Sequence, residues 1–206
     1  MSYGAFLRGL LKDPRGVSAP TPSSPALAKA IAAKVDPLHP GLVVELGAGT
    51  GVVTAALLDR GISEDRLLIV EQGAYFYGLL AGRFPAAAVI QGDAFAFEQY
   101  VPAGAAISAV VCGVPLLNFP LTLRRTLIER ALALQGLGGR FIQLSYGWKP
   151  PVHLKDVELG KTIVWRNFPP AHVWTFGAQT EDVTAVRNSL APGWRPRPAR
   201  ERPAGL

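Results

Sequence analysis

The stretch from Leu42 to Gly51, LVVELGAGTG, restricts what this chain can fold into more than any other. Leu42, Val43, Val44 and Leu46 surround one carboxylate, Glu45, and glycines follow at 47, 49 and 51. Such an apolar run reads as a strand buried on both faces. Alternate glycines let the backbone turn tightly and approach a ligand, because a Cβ would collide with the turn or with the bound group. VVTAALLDR then reads as a helix whose first N–H groups lack partners within it and point back into the same crevice. Together these parts make a nucleotide-type site at the carboxyl end of a strand.

Spacing narrows the choice of nucleotide. A dinucleotide fingerprint places a third glycine or alanine at 52, where this chain has Val52. Arg66 to Glu71 reads as the next buried strand, and Glu71 at its end suits two ribose hydroxyls. A third strand, Ala87 to Gln91, leads into Gly92-Asp93-Ala94, where a carboxylate can meet an adenine amino group. Glu45, Gly47-x-Gly49-x-Gly51, Glu71 and Asp93, in that order, resemble the S-adenosylmethionine site of class I methyltransferases. Ala48, Gln72, Gly92, Ala94 and Cys112 complete the expected donor contacts. Any one element alone fits a plain turn or a solvated acid equally well; the reading rests on their order.

With 206 residues, 49% of them hydrophobic, the chain suits one domain with a full core. The single cysteine, Cys112, cannot form an internal disulfide, and no Cys-x-x-Cys or His/Cys cluster suggests a metal, so a reducing cytoplasm and no metal are expected. Inert core packing also explains Cys112. The net charge of +6 calls for an anionic partner, membrane face or nucleic acid, without choosing between them. No secretory signal pattern is read at the N-terminus. From Gln99 to Leu123 no residue is charged, but Pro102, Pro115 and Pro120 break the run, so no transmembrane helix is expected.

Along the chain, Tyr3, Phe6, Leu7, Leu10 and Leu11 share one helical arc, with Arg8, Lys12 and Arg15 on the other side. This short amphipathic helix, weakened by Gly4 and Gly9, either packs on its own domain or lies in a lipid interface; periodicity favours the first. A Pro/Ser-rich loop, 16–25, is a candidate lid, and a helix capped by Ser24 with Pro25 at its first position runs to about Val35. A helix over Ala74–Arg83 and a strand over Ala106–Cys112 follow. The next loop, Gly113 to Pro120, is expected to hold the methyl acceptor, with Gly113 offering a backbone carbonyl to an amine. A helix over Thr122–Gln135, a turn at Gly138-Gly139, a strand over Arg140–Tyr146 and an antiparallel pair, Lys161–Asn167 and Ala171–Phe176, complete the core. Tyr146 is positioned to hold the acceptor nitrogen by hydrogen bond or ring face, although rim packing also explains it. His39, His153 and His172 follow no triad or metal spacing. None is needed, since methyl transfer from a sulfonium is an in-line displacement that asks mainly for alignment and exclusion of water. The expected fold is α/β, of class I methyltransferase (Rossmann-like) type: seven strands, mostly parallel, helices on both faces and an antiparallel last strand. Residues 1–40 are expected to form an N-terminal helix, loop and helix, 41–178 the methyltransferase domain and 179–206 a basic tail, in one compact unit.

From Phe6 to Phe176 the chain resembles bacterial phospholipid N-methyltransferases. The likeness is carried by FLRGLLKDP, Pro22-Ser23-Ser24, VVELGAGTGVVTAALL, GVPLLNFP, FIQLSY and WRNFPPAHVW. It implies stepwise methylation of phosphatidylethanolamine towards phosphatidylcholine, with S-adenosylmethionine leaving as S-adenosylhomocysteine. Glu45, Gly47, Gly49 and Glu71 would bind the donor. The resemblance also turns the N-terminal helix (Tyr3, Phe6, Leu7, Arg8, Leu10, Leu11, Lys12) into a membrane anchor, reversing the reading from periodicity. It implies a monomer when soluble, peripheral on the inner face of the cytoplasmic membrane, with no nucleic-acid partner. Gly73 and Ala74 depart from the bulkier residues frequent in relatives. The competing reading is an rRNA adenine dimethyltransferase, but those enzymes carry Asn-Leu-Pro-aromatic where this chain has Gly113-Val114-Pro115-Leu116. A third is a membrane-binding protein that keeps the donor only as structure.

Overall fold

Burial accounts for the strands before hydrogen bonding does. In a computed structural model, which describes residues 23–155 and 157–178, Leu42–Leu46 (β1), Leu67–Glu71 (β2) and Ile107–Cys112 (β4) are buried at every position. Strands covered by helices on both faces have no polar side to present. The remaining strands are Ala88–Gln91 (β3), Gln135–Ser145 (β5), Val157–Val164 (β6) and Ala171–Ala178 (β7). The helices are Pro25–Ala32 (α1), Val52–Asp59 (α2), Ala74–Arg83 (α3) and Leu121–Leu134 (α4). The amphipathic stretch 1–12, the loop up to residue 22 and the basic tail 179–206 lie outside the described residues.

The seven strands form one sheet in the order β3-β2-β1-β4-β5-β7-β6. Pairs from β3 through β5 are parallel, and β7 runs antiparallel to both β5 and β6. This is the expected class I methyltransferase architecture. Its strand order reverses at β1 and β4, which opens a crevice at their carboxyl ends. One face is covered by α1, α2 and α3 through Leu27, Ile31, Leu57 and Leu80, which pack on Val43, Ile69 and Val111. The other is covered by α4 and the segment Ala94–Tyr100 through Ile128 and Phe97, on Val44, Val110, Phe141 and Phe176. The α1 cap is as expected: the Ser24 hydroxyl accepts from the Leu27 N–H at 3.2 Å, with Pro25 opening the helix. Among the described residues no helix is long and apolar enough to cross a membrane.

Three elements differ from expectation by three residues or more at a boundary. β5 starts at Gln135, before the expected turn at Gly138-Gly139; the register passes from Ile107↔Gln135 to Ala109↔Arg140, so the turn is absorbed as a bulge with Gly138 at φ +86°. β6 covers Val157–Val164 rather than Lys161–Asn167. Residues 165–170 instead make the turn into β7, pinned by Asn167, which accepts from the Ser24 N–H at 3.2 Å and donates to the Pro169 carbonyl at 2.7 Å. α1 stops at Ala32, three residues short of Val35.

Candidate donor and acceptor site

The glycine turn follows from its backbone angles. Gly47, Gly49 and Gly51 have φ of +72°, +55° and +76°, the left-handed region that disfavours a side chain. At Gly51 a Cβ would also stand 2.7 Å from the Phe84 ring, whereas at Gly49 it would meet nothing within 4 Å. The open side of Gly49 is the space that a ligand approaching the start of α2 needs.

Glu71 closes this turn from the neighbouring strand. One carboxylate oxygen accepts from the Gly49 N–H at 2.9 Å and the other from the Gly73 N–H at 2.8 Å. Each oxygen keeps a lone pair for a further donor such as a hydroxyl. Sequence reading gave Glu71 a ligand role and missed this structural one. Beside it the Gln72 side-chain oxygen is buried without a partner, a vacancy that suits a donor group of a bound nucleoside.

Glu45 is 2% exposed and accepts from the Thr54 hydroxyl at 2.7 Å. Burial pushes its carboxyl up to about 7, opposed by the Thr54 hydrogen bond and reinforced by the Glu71 charge. A buried acid poised near neutrality can ionise when a cation is placed beside it.

Glu45 and the glycine turn border a cleft of about 270 Å³, and Glu71 and Gln72 stand outside its lining, Glu71 joined to it through the Gly49 N–H. Of the residues expected from sequence, Glu45, Gly47, Ala48, Gly49, Cys112, Gly113 and Tyr146 line it together. Ser23, from the segment before α1, and Phe76 of α3 join them. Phe76 had not been singled out; its only signal was its place in the first turn of the helix after Glu71. Cys112 is 1% exposed, and burial pushes its thiol up to about 12, so it is a neutral packing group at the base of the cleft.

Gly92, Asp93 and Ala94 sit at the end of β3, outside the lining of this cleft. One Asp93 oxygen accepts from the Phe95 N–H at 2.9 Å, capping the segment Ala94–Tyr100. The Tyr100 hydroxyl lies against Gly92, where a Cβ would come within 2.5 Å of it, and accepts from the Asp93 N–H at 3.3 Å.

A second cavity, about 310 Å³, adjoins the first. It is walled by the loop after β4 (Pro115 to Asn118), by Gln143 and Ser145 of β5, and by Gly147 and Pro151. The two cavities share Gly113, Leu144 and Tyr146, so the residues expected to hold the acceptor stand where the chambers meet. A Cβ on Gly113 would come within 2.7 Å of the Gly47 carbonyl oxygen, so the ends of β1 and β4 close only around a glycine. Gln143 donates to the Val114 carbonyl at 2.9 Å and holds the acceptor loop to β5. A cleft of about 490 Å³ at the opposite edge, among His39, Arg60, Gly138 and Glu158, lies away from the glycine turn. Among the described residues no three His, Cys, Asp or Glu side chains are grouped to hold a metal. His172 is 1% exposed between Trp148 and Trp174, with ring centroids at 4.9 and 6.2 Å, and burial together with the Lys161 charge lowers its basicity.

No family model matches the chain. A curated relative, the ornithine lipid N-methyltransferase of Singulisphaera acidiphila, is 29% identical over 174 residues, covering 81% of this chain and 91% of its own. TrmN from Thermus thermophilus aligns with a TM-score of 0.58 at 19% identity over 75% of this chain, which spans about half (48%) of the TrmN chain. An rRNA methylase from Streptococcus thermophilus aligns with a TM-score of 0.52 at 20% identity, over 74% of this chain and 94% of its own. At those identities the two structures speak for the fold alone. The chain has the class I methyltransferase fold, S-adenosylmethionine is the cofactor that goes with it, and its sequence resemblance to lipid N-methyltransferases is matched by the curated relative.

Proposed function

We propose that the protein methylates the amine of a lipid headgroup, with phosphatidylethanolamine as the preferred substrate, while resting on the inner face of the cytoplasmic membrane. The observation that carries this reading is the junction at Gly113, Leu144 and Tyr146 between a glycine-turned nucleotide cleft and a second chamber. The relative's substrate, an ornithine lipid, supports an amine on a lipid as the acceptor class.

When bound, S-adenosylmethionine would supply an electrophilic methyl to the neutral amine, the S–CH3 bond breaking as the N–CH3 bond forms, with the proton of the methylated amine passing to solvent water. The chain's own work is to bind and orient. Glu71, whose oxygens bind the glycine turn, and the unpartnered Gln72 oxygen would take the ribose and base groups of the donor, and an ionised Glu45 suits its positive charge. On the acceptor side, Gly113 offers its carbonyl to an amine N–H and Tyr146 its hydroxyl or ring face. The apolar walls at Leu116, Leu117 and Leu144 favour the uncharged amine, whose lone pair is then available for attack. Nothing in this step needs a metal or a triad.

The RNA reading lacks its stacking ring. In the loop from 113 to 120 the only aromatic is Phe119, 3% exposed with its ring 4.7 Å from Phe95, so it does not project into the acceptor cavity's lining. The test is to incubate the full chain with labelled S-adenosylmethionine and vesicles of phosphatidylethanolamine or of ornithine lipid, or with naked rRNA. Mono-, di- and trimethylated phosphatidylethanolamine is the expected product. Labelled ornithine lipid alone would move the substrate within the class, labelled rRNA alone would overturn the assignment, and donor binding without turnover would favour a structural role for the donor.

A further inference from the structure

Three loops meet at the carboxyl edge of the sheet beside the acceptor cavity: 113–120 after β4, 146–155 after β5, and 165–170 between β6 and β7. Their adjacency follows from the register, in which Ser145 and Ile163 both pair with His172. Leu117 packs over Gly147, where a Cβ would run into it, and both residues line the cavity. The first two loops therefore wall the chamber, and the third, 165–170, follows on the same edge of the sheet.

Large apolar side chains stand out from them. Phe168 is 92% exposed, Trp165 67%, Trp148 66% and Leu117 39%. Scattered exposed apolar residues are ordinary, but four on loops along one edge of the sheet, two of those loops walling the cavity, make a surface that water does not favour. The charge around them is mainly basic. Lys149, Lys155 and Arg166 are all exposed on these loops, against one acid in the sequence of the three connections, Asp156 just before β6. The Lys161 ammonium lies 5.5 and 4.9 Å from the Trp148 and Trp174 ring centres and adds to the same field. Aromatic rings amid an excess of cations match the boundary of an anionic bilayer, where rings sit at headgroup depth and cations meet phosphate.

We propose that this rim is a membrane-docking surface, in which Leu117, Trp148, Trp165 and Phe168 enter the interface of an anionic bilayer and Lys149 and Arg166 bind its phosphates. Docked this way, the acceptor cavity faces the headgroups, so a lipid amine reaches Gly113 and Tyr146 without its acyl chains leaving the bilayer. The inference rests on the lipid reading for its purpose, but the surface itself is argued from exposure and charge, independently of any turnover.

The test uses the full chain and vesicles of phosphatidylcholine, alone or with an equal part of phosphatidylglycerol. Trp165→Ser with Phe168→Ser, and separately Lys149→Glu with Arg166→Glu, are expected to lower partitioning onto the mixed vesicles about tenfold or more. Binding of S-adenosylhomocysteine and methylation of detergent-dispersed lipid should stay near wild type in both variants. Unchanged partitioning overturns the proposal, as does a parallel loss of S-adenosylhomocysteine binding in both variants, which marks the rim as structural. Binding of an RNA oligomer that falls in the variants while vesicle binding does not also overturns it. If the wild-type protein methylates no lipid but its vesicle binding still depends on the rim, the surface stands and the proposed function falls.

Discussion

Glu45 carries the sharpest test at the scale of a single residue. Its carboxyl is raised from the usual 4.5 to about 7 by burial, so the folded, ligand-free protein holds a proton that the unfolded chain has lost between those values. Stability from this group therefore falls as pH rises from about 4.5 to about 7, and the loss is complete above. Glu45→Gln keeps an oxygen for the Thr54 hydroxyl and removes the titration. Melting of the ligand-free variant should show a gain over wild type at pH 8, by at most about 3 kcal/mol, that fades by pH 5. Calorimetry should show the opposite for the donor, with affinity lower by about tenfold or more because a neutral amide cannot match a cation. A gain in stability with unchanged donor affinity would take Glu45 out of the site. The residue was legible in sequence as the one acid in a buried strand; its partner Thr54 was not, because an ordinary helical threonine becomes visible only when α2 packs over β1.

Among elements, the two turns at the carboxyl ends of β1 and β4 act as one part. Gly113→Ala places a methyl 2.7 Å from the Gly47 carbonyl, a backbone atom that cannot rotate away, so the strand ends must separate. We expect a stability cost of roughly 1–3 kcal/mol and a loss of donor binding beyond what that cost explains. Gly49→Ala is the control: nothing lies within 4 Å, leaving only the strain of a φ of +55°, roughly 1–2 kcal/mol. Equal stability costs in the two would contradict the coupled turn; donor binding does not separate them, because a methyl at 49 enters the space the ligand needs. Most of this layer was readable in advance, because buried parallel strands are continuous apolar runs and glycine turns follow them. The edge was harder. β6 reads V-E-L-G-K-T-I-V, with Glu158 and Lys161 exposed and a glycine between them, so apolar pattern pulled its expected span towards Asn167. β5 absorbed its glycines as a bulge, a choice set by pairing with β4 rather than by local propensity. Asp93 carries a role that its position after β3 did not reveal, since one of its oxygens caps the segment Ala94–Tyr100.

For the whole molecule, the proposed function requires a way to meet a substrate that stays in a bilayer. Two features bear on it: the rim of aromatic and basic residues beside the acceptor cavity, and the amphipathic run Tyr3 to Lys12, which precedes the described residues. Contacts made by both with one surface would act together, because the second forms at the high effective concentration that the first creates. Removing residues 1–12 should then weaken partitioning onto anionic vesicles while leaving S-adenosylhomocysteine affinity intact, and raising salt should weaken what the rim retains, since phosphate contacts are screened over about 10 Å at 0.1 M ionic strength. The reading from periodicity alone makes a different forecast. A helix that packs on its own domain would, when deleted, lower melting temperature and donor affinity together with vesicle binding. Measured side by side on the truncated protein, the ratio of the two losses decides which surface the run Tyr3 to Lys12 covers.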